Sequence, residues 1–399
     1  MATPGLRKVA ELDAIQVDDF ADESERYAAK EAALRLLRRV ETPIEQVWSL
    51  TLDAPGVIAS LEVCLNLGIW TKWRESIDGT KDSARSIDDI VRMCTESVEP
   101  NLLRRLLRAI ASSRLLEEVG VDTWKPTPLT VALGNKDTHL GGMVEWGSHF
   151  SLVAGANLPG FLKRHGYQDP RDADKFDNNT DLFGKNFFSL CSSDPIKNRV
   201  FMEMMTSWQV QKVDWTQVYD TKRIVDGANL SQPLFVDVGG MHGIDAARLL
   251  ARHPDLPEHT LFLQDLPHVV ASEAHPIDKR ITKVAHDFFE PQPIVDARAY
   301  FLHAVSHDWS DTDCLRIFKN ITPAMKRGYS KLLIYEVVLP PTGANSIQSG
   351  LDLTLMIVLS SFERTEQDWY GLLEKAGLRI VSISRRPGAV ESVIEAELA

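Results

Sequence analysis

Apolar residues follow two different patterns along the chain. From about Ser24 to Thr138 they recur every three or four residues, as in EAALRLLRRVETPIEQVWSLTL, which predicts amphipathic helices. From Pro233 onward, short β-rich runs such as LFVDV, TLFLQD and KLLIYE alternate with amphipathic segments. This alternation predicts an α/β fold with a parallel sheet and helices on both faces. Ligands of such sheets bind beyond the carboxyl ends of the strands, so a site is expected there.

A smaller unit is predicted within the helical half. Ser86 to Leu133 is expected to form two helices and then an extended piece interrupted by proline, the order of a winged helix. Winged helices can bind DNA, and the second helix carries Arg104, Arg105 and Arg108. Such arginines are more often a solvated face or salt-bridge partners. The 44 Lys and Arg against 56 Asp and Glu give a net charge of −12, so no nucleic-acid partner is expected.

Cysteine spacing and hydropathy bear on the compartment. The four cysteines lie far apart without a CxxC pair, so neither a zinc site nor a disulfide framework is expected: Cys64, Cys94, Cys191 and Cys314. The N-terminal sequence has no apolar signal core, and no run approaches the roughly 18 continuous apolar residues of a membrane span. We therefore predict a cytoplasmic protein with no membrane partner.

A glycine-rich turn follows the first β-rich run. The strand LFVDV ends near Asp237 and leads into Gly239, Gly240 and Gly243, which allow a ligand to approach the backbone near a helix N-terminus. A dinucleotide fingerprint would place its first glycine at Val238, so the NAD interpretation fails. Asp237 suits a cationic or ribose-bearing ligand better than a pyrophosphate. Alone, the glycines are equally well explained as a plain turn.

Six ordered motifs give the chain a more specific resemblance: VDVGGMHG, FLQDLPHVV, HDFFEPQP, SHDWSDTDC, LLIYEVVLP and FERTEQDW. They resemble those of the S-adenosylmethionine-dependent O-methyltransferases of the plant caffeate type, and the fungal secondary-metabolism branch most closely. The resemblance covers roughly Ser24 to Ser384. It implies a Rossmann-like class I methyltransferase sheet with a helical, winged-helix dimerisation domain at residues 1–145 and a catalytic domain at 146–399. It also implies a homodimer.

The resemblance assigns S-adenosylmethionine as the cofactor. It implies cofactor contacts along the chain from Asp237, Gly239, Gly240, Gly243, Asp265, Leu266, Asp287, Phe288, His303 and Trp309. The glycine loop approaches the methionine part, Asp265 holds the ribose, and Asp287 and Phe288 flank the adenine. The chain departs from the family in carrying Met241 and His242 where many relatives read GGGTG. It also carries His303 where plant members have a lysine.

The resemblance implies that His307 is a general base oriented by Glu336 and Glu363. A phenol with a pKa near ~10 is a poor nucleophile at neutral pH, and a histidine can take its proton as the bond to methyl forms. No metal is required, because the electrophile is already activated. A rival interpretation is a metal cluster of His286, Asp287, His303, His307 and Asp308. It is disfavoured, since such ligands come from helical bundles and these residues follow predicted strands.

An acceptor wall is predicted less directly. Phe201, Met205 and Trp208 share one helix face, a pattern that by itself indicates core packing. The resemblance implies that they line the acceptor pocket together with Thr354 and Met356. Such a slot suits a flat phenolic or polyketide acceptor. Two other functions remain open: a pericyclase or cyclase that keeps the cofactor intact and uses its positive charge, and a non-catalytic winged-helix regulator.

Overall fold

A computed structural model describes residues 3–77, 83–171, 176–271 and 277–399 of the chain. The helices of the N-terminal part are α1 (Pro4–Asp13), α2 (Glu23–Val40), α3 (Pro43–Trp48), α4 (Ala54–Asn66), α5 (Ile69–Ile77), α6 (Ile87–Met93), α7 (Pro100–Ser112), α8 (Pro128–Leu133), α9 (Leu140–Trp146), α10 (Leu152–Arg164), α11 (Asn178–Phe183), α12 (Phe187–Ser193) and α13 (Pro195–Gln211). Those of the C-terminal part are α14 (Trp215–Val218), α15 (Lys222–Val225), α16 (Ile244–Arg252), α17 (Pro267–Val270), α18 (Asp311–Ile321), α19 (Ser346–Leu359) and α20 (Glu366–Lys375).

The strands form three sheets among the described residues. They are β1 (Arg85–Ser86), β2 (Leu116–Gly120), β3 (Thr123–Pro126), β4 (Phe235–Val238), β5 (Leu261–Asp265), β6 (Ile281–Ala285), β7 (Ala299–His303), β8 (Lys331–Glu336), β9 (Val338–Leu339), β10 (Arg364–Thr365), β11 (Leu378–Ser384) and β12 (Ser392–Leu398). The largest sheet has the order β11-β12-β8-β7-β4-β5-β6. Its strands from β6 to β8 are parallel, as predicted.

The C-terminal end of the sheet differs from the prediction. β12 pairs antiparallel with both β8 and β11, whereas the sequence predicts a parallel sheet throughout. The connection between β11 and β12 carries no helix, so the two strands form a hairpin. The strand SVIEAEL that completes this hairpin was not anticipated.

Apolar cores cover both faces of the large sheet and fix its central strands. One face buries Val236 and Leu302 under α18 and α20, and the other buries Phe235 and Phe301 under α14 and α16. Trp215 stacks on Phe235 with ring centroids 5.5 Å apart. Because β4 and β7 are enclosed on both faces, the residues at their carboxyl ends have fixed positions.

The unit predicted as a winged helix forms α6, α7 and a small sheet in the order β1-β3-β2. Trp124 of β3 is buried in one apolar core with Trp70 and Trp73 of α5. Arg104 donates from Nε to Oδ1 of Asp122 at 2.7 Å, so an acidic residue beside the small sheet neutralises part of the basic helix. The expectation of no nucleic-acid partner stays a prediction. The winged-helix assignment and the domain boundary at residue 145 stay predictions.

A long apolar surface remains exposed near the N-terminus. The continuous helical stretch Pro43–Asn66, which joins α3 to α4 through a π-type turn, is long and apolar enough to cross a membrane by length and composition. Of its most apolar window, 22% is buried in the molecule. Core helices of soluble proteins pass the same test, and the expectation of no membrane partner stays a prediction.

Candidate active site

The carboxyl ends of β4, β5, β7 and β8 lie at one edge of the large sheet. These strands run parallel in register, with Asp237 beside Leu263 and Phe301, and His303 beside Tyr335. The edge therefore brings together the glycine loop after β4, Asp265 at the end of β5, the turn after β7 and Glu336 at the end of β8. The sequence predicted a ligand site at this edge, and the predicted cofactor and base residues converge there.

The glycine loop has a backbone that only small residues adopt easily. Gly239 and Gly243 have φ of +73° and +70°. A Cβ on Gly240 would lie 2.4 Å from Cγ of Asp237 and 2.6 Å from a methyl of Leu263. Asp237 is thus packed against the inner side of the loop, and burial followed by the charge of Asp245 raises its pKa well above the ordinary value.

Met241 stands where many family members have glycine. Its φ is +46°, in the left-handed region, so the side chain is carried at a conformational cost of about 1 kcal/mol. Its N–H donates to Oδ2 of Asp265 at 2.9 Å, which ties the loop to the end of β5. The departure from the family pattern therefore changes the side chain but keeps the loop conformation that glycine favours.

Asp265 and Leu266 present a polar and an apolar group at the same edge. Asp265 accepts the N–H of Leu266 at 2.7 Å, and burial raises its pKa. Its oxygens each keep a lone pair after these backbone contacts, which is what a diol ligand requires. Leu266 is 41% exposed, an apolar side chain that a ligand could cover.

Aromatic rings surround the next strand end. Phe288 lies over the glycine loop, with a ring carbon 3.6 Å from the position of a Cβ on Gly239. Trp309 meets Phe288 and Phe289 edge to face at 6.0 and 4.8 Å between centroids. Asp287 accepts the N–H of Phe289 at 2.9 Å and so shapes this turn. Of the two residues predicted to flank an adenine, Phe288 therefore belongs to an aromatic cluster beside the loop, and Asp287 shapes the turn that carries it.

His303 lies in a buried ionic cluster beneath the edge. Its Nδ1 contacts a carboxylate oxygen of Asp245, and its Nε2 lies 3.6 Å from Oε1 of Glu391, which pairs with Lys212 at 2.7 Å. Burial alone would lower the pKa of His303, but the charge of Asp245 outweighs it and the pKa is raised. Where plant relatives have a lysine, this chain has an imidazole held by two acidic residues. Its predicted cofactor contact stays a prediction.

His307 lies on a 3-10 turn, Ser306–Asp308, directly after β7. Its Nδ1 is 3.0 Å from Oε1 of Glu363, and its Nε2 is 3.6 Å from Oδ1 of Asp308. The His307 side chain is 16% exposed and that of Glu363 is 1% exposed. A buried carboxylate on Nδ1 fixes the ring orientation and leaves Nε2 as the nitrogen that can meet another group.

Glu336 reaches the same turn by a different route. Its Oε1 accepts the N–H of Ser306 at 2.6 Å and that of Val305 at 3.2 Å. The sequence predicts that both Glu336 and Glu363 orient the imidazole. Within the described residues, Glu363 bonds to the ring itself, whereas Glu336 holds the backbone that carries it.

The acidic surroundings change how His307 titrates. Burial alone would lower its pKa, but the charges of Glu363 and Asp308 outweigh burial and raise it to about 10. Burial raises the pKa of Asp308 to about 6 and also raises that of Glu363. The group therefore holds a proton at neutral pH and behaves as one coupled unit. A base role requires that this proton leave His307 before the acceptor is deprotonated.

His307, Glu336 and Glu363 also have the spacing of a metal-binding cluster. One ligand atom from each lies within 4.8 Å of the others. The hydrogen bond from the His307 ring to Glu363 and those from the backbone to Glu336 already account for this proximity. The expectation that no metal takes part stays a prediction.

The predicted acceptor residues lie on two helices, α13 and α19, of which α19 is next to the turn. α19, which carries Thr354 and Met356, packs against the turn Ser306–Asp308. On α13, Phe201 meets Phe187 edge to face at 4.9 Å, and Trp208 lies under the ammonium of Lys212 at 5.5 Å. Met205 is half-buried on the same helix.

A cleft of about 420 Å³ opens beside Asp308 and Trp309. Its apolar lining includes Phe187, Phe188 and Phe289, and the five predicted acceptor residues do not line it. The cleft therefore continues the aromatic cluster rather than the predicted acceptor wall.

Sequence reasoning missed two further polar residues of the site. Arg364 is fully buried and bonds to the backbone of the turn that carries His307, and Asp245 holds His303. Arg364 was visible within the motif FERTEQDW, but its type alone gave no sign that it would be buried. Asp245 looked like an ordinary acidic residue in the first turn of a helix.

Comparisons with known proteins identify the family of the chain. The O-methyltransferase domain family model matches residues 168–379. The O-methyltransferase ATR12 of Stachybotrys chlorohalonatus is 39% identical over 100% of both chains. Demethylsterigmatocystin 6-O-methyltransferase of Aspergillus parasiticus is 32% identical over 91% of this chain and 92% of its own.

The fold has solved counterparts as well. A structure of LepI with S-adenosylmethionine has a TM-score of 0.87 and 26% identity, and covers 99% of this chain and 100% of that one. A structure described as a pericyclic reaction enzyme matches equally well. The predicted class I fold, family and cofactor are thereby confirmed. The chain belongs to the O-methyltransferase domain family, whose methyl donor is S-adenosylmethionine.

Proposed function

We propose that the enzyme methylates a phenolic or polyketide-type hydroxyl in fungal secondary metabolism, with His307 as the general base. The observation that carries this proposal is the contact of Glu363 with Nδ1 of His307 at the carboxyl edge of the sheet. It leaves Nε2 for the acceptor hydroxyl. The names of the curated relatives support the reaction class.

The edge of the sheet fits the cofactor. The glycine loop after β4, the Asp265 carboxylate and the ring of Phe288 offer groups suited to methionine, ribose and adenine in turn. When bound, S-adenosylmethionine supplies an electrophilic methyl group on a positively charged sulfur. The protein must then align the acceptor oxygen and remove its proton.

His307 can accept that proton once its own has left. A bound cation near an imidazole lowers the pKa of that imidazole, which favours the neutral base in the loaded enzyme. Asp308, whose pKa is raised to about 6, lies 3.6 Å from Nε2 and can share the proton. Glu363 then stabilises the imidazolium formed during transfer.

Product analysis tests the reaction class. The enzyme is incubated with methyl-labelled S-adenosylmethionine and a panel of phenolic polyketides, and both products are quantified by mass spectrometry. We expect one S-adenosylhomocysteine for each labelled product. A converted acceptor with the cofactor intact would overturn the proposal.

A pericyclase or cyclase that keeps its cofactor is the second candidate. Two observations favour it: the pKa of His307 is raised to about 10, and the pericyclic reaction enzyme shares the fold at a TM-score of 0.87. A protonated imidazole can donate a hydrogen bond to a carbonyl and polarise it. The same product analysis separates the two candidates.

We also propose a homodimer formed through the N-terminal helices. Val40, Ile44 and Leu50 are 68%, 64% and 66% exposed on the apolar stretch around Pro43–Asn66, and a second copy of the chain would cover them. A cytoplasmic location without membrane partners remains part of the proposal, supported by four unpaired cysteines within the described residues.

Light scattering of purified enzyme tests the dimer. We expect a mass of two chains at micromolar concentration, and a lower mass for the double variant Ile44→Glu, Leu50→Glu, because buried charges destabilise an apolar interface. Val121→Glu is the control, since Val121 is 93% exposed at the tip of the β2–β3 turn, outside that surface. A monomeric parent enzyme with full activity would contradict the proposal.

A further inference from the structure

Three backbone carbonyls of the turn that carries His307 receive side-chain donors from a single segment, Ser361–Arg364. Arg364 donates from Nη1 to the carbonyl of Ser306 at 2.8 Å and from Nη2 to that of Trp309 at 2.9 Å. The hydroxyl of Ser361 donates to the carbonyl of His307 itself. The turn is therefore held on both sides of the catalytic histidine.

We propose that Arg364 is a positioning residue for the proposed methyl transfer: its guanidinium holds the turn so that His307 stays against Glu363 and faces the acceptor. The expected change in kcat rests on the proposed function, whereas the expected change in the mobility of the turn does not. Arg364 does not touch the reacting atoms; it acts through the backbone of residues 306–309.

The surroundings of Arg364 explain why arginine is suited to this place. Its side chain is fully buried, and Nε and Nη2 donate to Oδ1 of Asp311 at 3.0 and 2.8 Å. The guanidinium carbon lies 4.7 Å from the ring centre of Phe362 and 5.5 Å from that of Trp369. A planar fork can serve two carbonyls and a carboxylate at once while stacking on rings, which a lysine cannot do.

The segment that supplies Arg364 is itself fixed relative to both carboxylates. β10, which begins at Arg364, pairs in parallel with β9 at Val338, just after Glu336. The N–H of Glu363 donates to Asp352 on α19 at 2.9 Å. The β9–β10 pair thus holds Glu336 and Glu363 near each other at the turn, and Arg364 bonds to the turn from the same segment.

The matched control is Arg298, which also donates hydrogen bonds to backbone carbonyls but lies at the opposite end of the sheet. It precedes β7 and donates to the carbonyls of Ile224, Tyr329 and Arg223 at 3.3, 2.7 and 3.2 Å. Replacing Arg298 with alanine therefore removes a comparable set of bonds without touching the His307 turn.

The test compares Arg364→Ala, Arg364→Lys, Ser361→Ala and Arg298→Ala, each normalised to the fraction that binds S-adenosylhomocysteine. We expect kcat of Arg364→Ala to fall about 10²-fold, since a displacement of roughly 1 Å costs that much, while KM for the cofactor stays within about twofold. Dilute guanidinium should restore part of the lost kcat in Arg364→Ala. Ser361→Ala should also lower kcat, by a smaller factor, and leave KM for the cofactor nearly unchanged. Arg298→Ala should keep the kcat of the parent enzyme.

A second measurement does not depend on activity. Amide hydrogen exchange of the peptide spanning residues 306–309 should accelerate in Arg364→Ala and remain unchanged in Arg298→Ala. Equal kcat in the two alanine variants, or unchanged exchange in that peptide, would overturn the proposal. If Arg364→Ala does not fold, Ser361→Ala and Arg364→Lys decide by the same readouts. A parent enzyme that forms no S-adenosylhomocysteine would refute the proposed function and leave the exchange result to judge Arg364.

Discussion

Replacing His307 with alanine is expected to lower kcat by roughly two to four orders of magnitude, the usual contribution of a general base. The affinity for S-adenosylhomocysteine should stay nearly unchanged, because most of the predicted cofactor contacts lie on the loop after β4 and at the ends of β5 and β6. Single-turnover kinetics and calorimetry measure the two quantities separately.

A double variant tests whether Glu363 acts through His307. Glu363→Gln alone should lower kcat less than His307→Ala does, and adding it to His307→Ala should cost little more, since Glu363 acts through the imidazole. His253→Ala is the control: this histidine bonds to Thr221 at 2.8 Å, follows α16 at the far edge of the sheet and should leave kcat unaffected. Fully additive losses for His307 and Glu363 would show that they act independently.

The sheet could be predicted from the sequence because its strands are nearly continuous apolar runs. β4 and β7 are fully buried, and their alternation with amphipathic helices is a strong signal of parallel pairing. The hairpin of β11 and β12 was not predicted, because β12 carries Glu395 within an apolar run. That carboxylate is buried and paired with Lys331, a contact between neighbouring strands that no local pattern shows.

The residues of the site could be predicted from the sequence, but their hydrogen-bond partners were harder to predict. The ordered motifs identified His307, Glu336 and Glu363, and these residues meet at one edge. The motifs did not show that Glu336 bonds to backbone instead of the ring, or that Arg364 is buried beneath the turn. These details depend on side-chain directions set by the β9–β10 pair, whose strands are only two residues long.

His303 illustrates a limit of reasoning by motif position. Its alignment with a lysine of plant relatives predicts a cofactor contact, which stays a prediction, but did not show that its ring lies between Asp245 and Glu391. The two acidic neighbours of this buried imidazole come from other parts of the fold: Asp245 lies on α16, and Glu391 directly precedes β12. The position along the strand was predictable, but the partners were not.

The pH dependence of the reaction should report the charge state of His307. Its pKa is raised to about 10 with Glu363 and Asp308 as neighbours, so the base is protonated in the free enzyme at neutral pH. We expect kcat/KM for the cofactor to rise about tenfold per pH unit between neutral pH and that pKa. The kcat profile should also rise with pH, but its rising limb should lie at lower pH than that of kcat/KM, because the bound cation lowers the pKa of the imidazole.

Glu363→Gln separates this titration from that of the acceptor. The free phenol ionises identically with both enzymes, so a shift between their profiles of kcat/KM for the acceptor belongs to the protein. Removing the carboxylate 3.0 Å from Nδ1 takes away the largest charge that raises the pKa of His307, and the rising limb should move to lower pH. Coincident limbs would show that His307 is not the group that titrates. A rate that falls as pH rises would instead mean that the imidazolium acts as an acid, which is the behaviour expected of the pericyclase candidate.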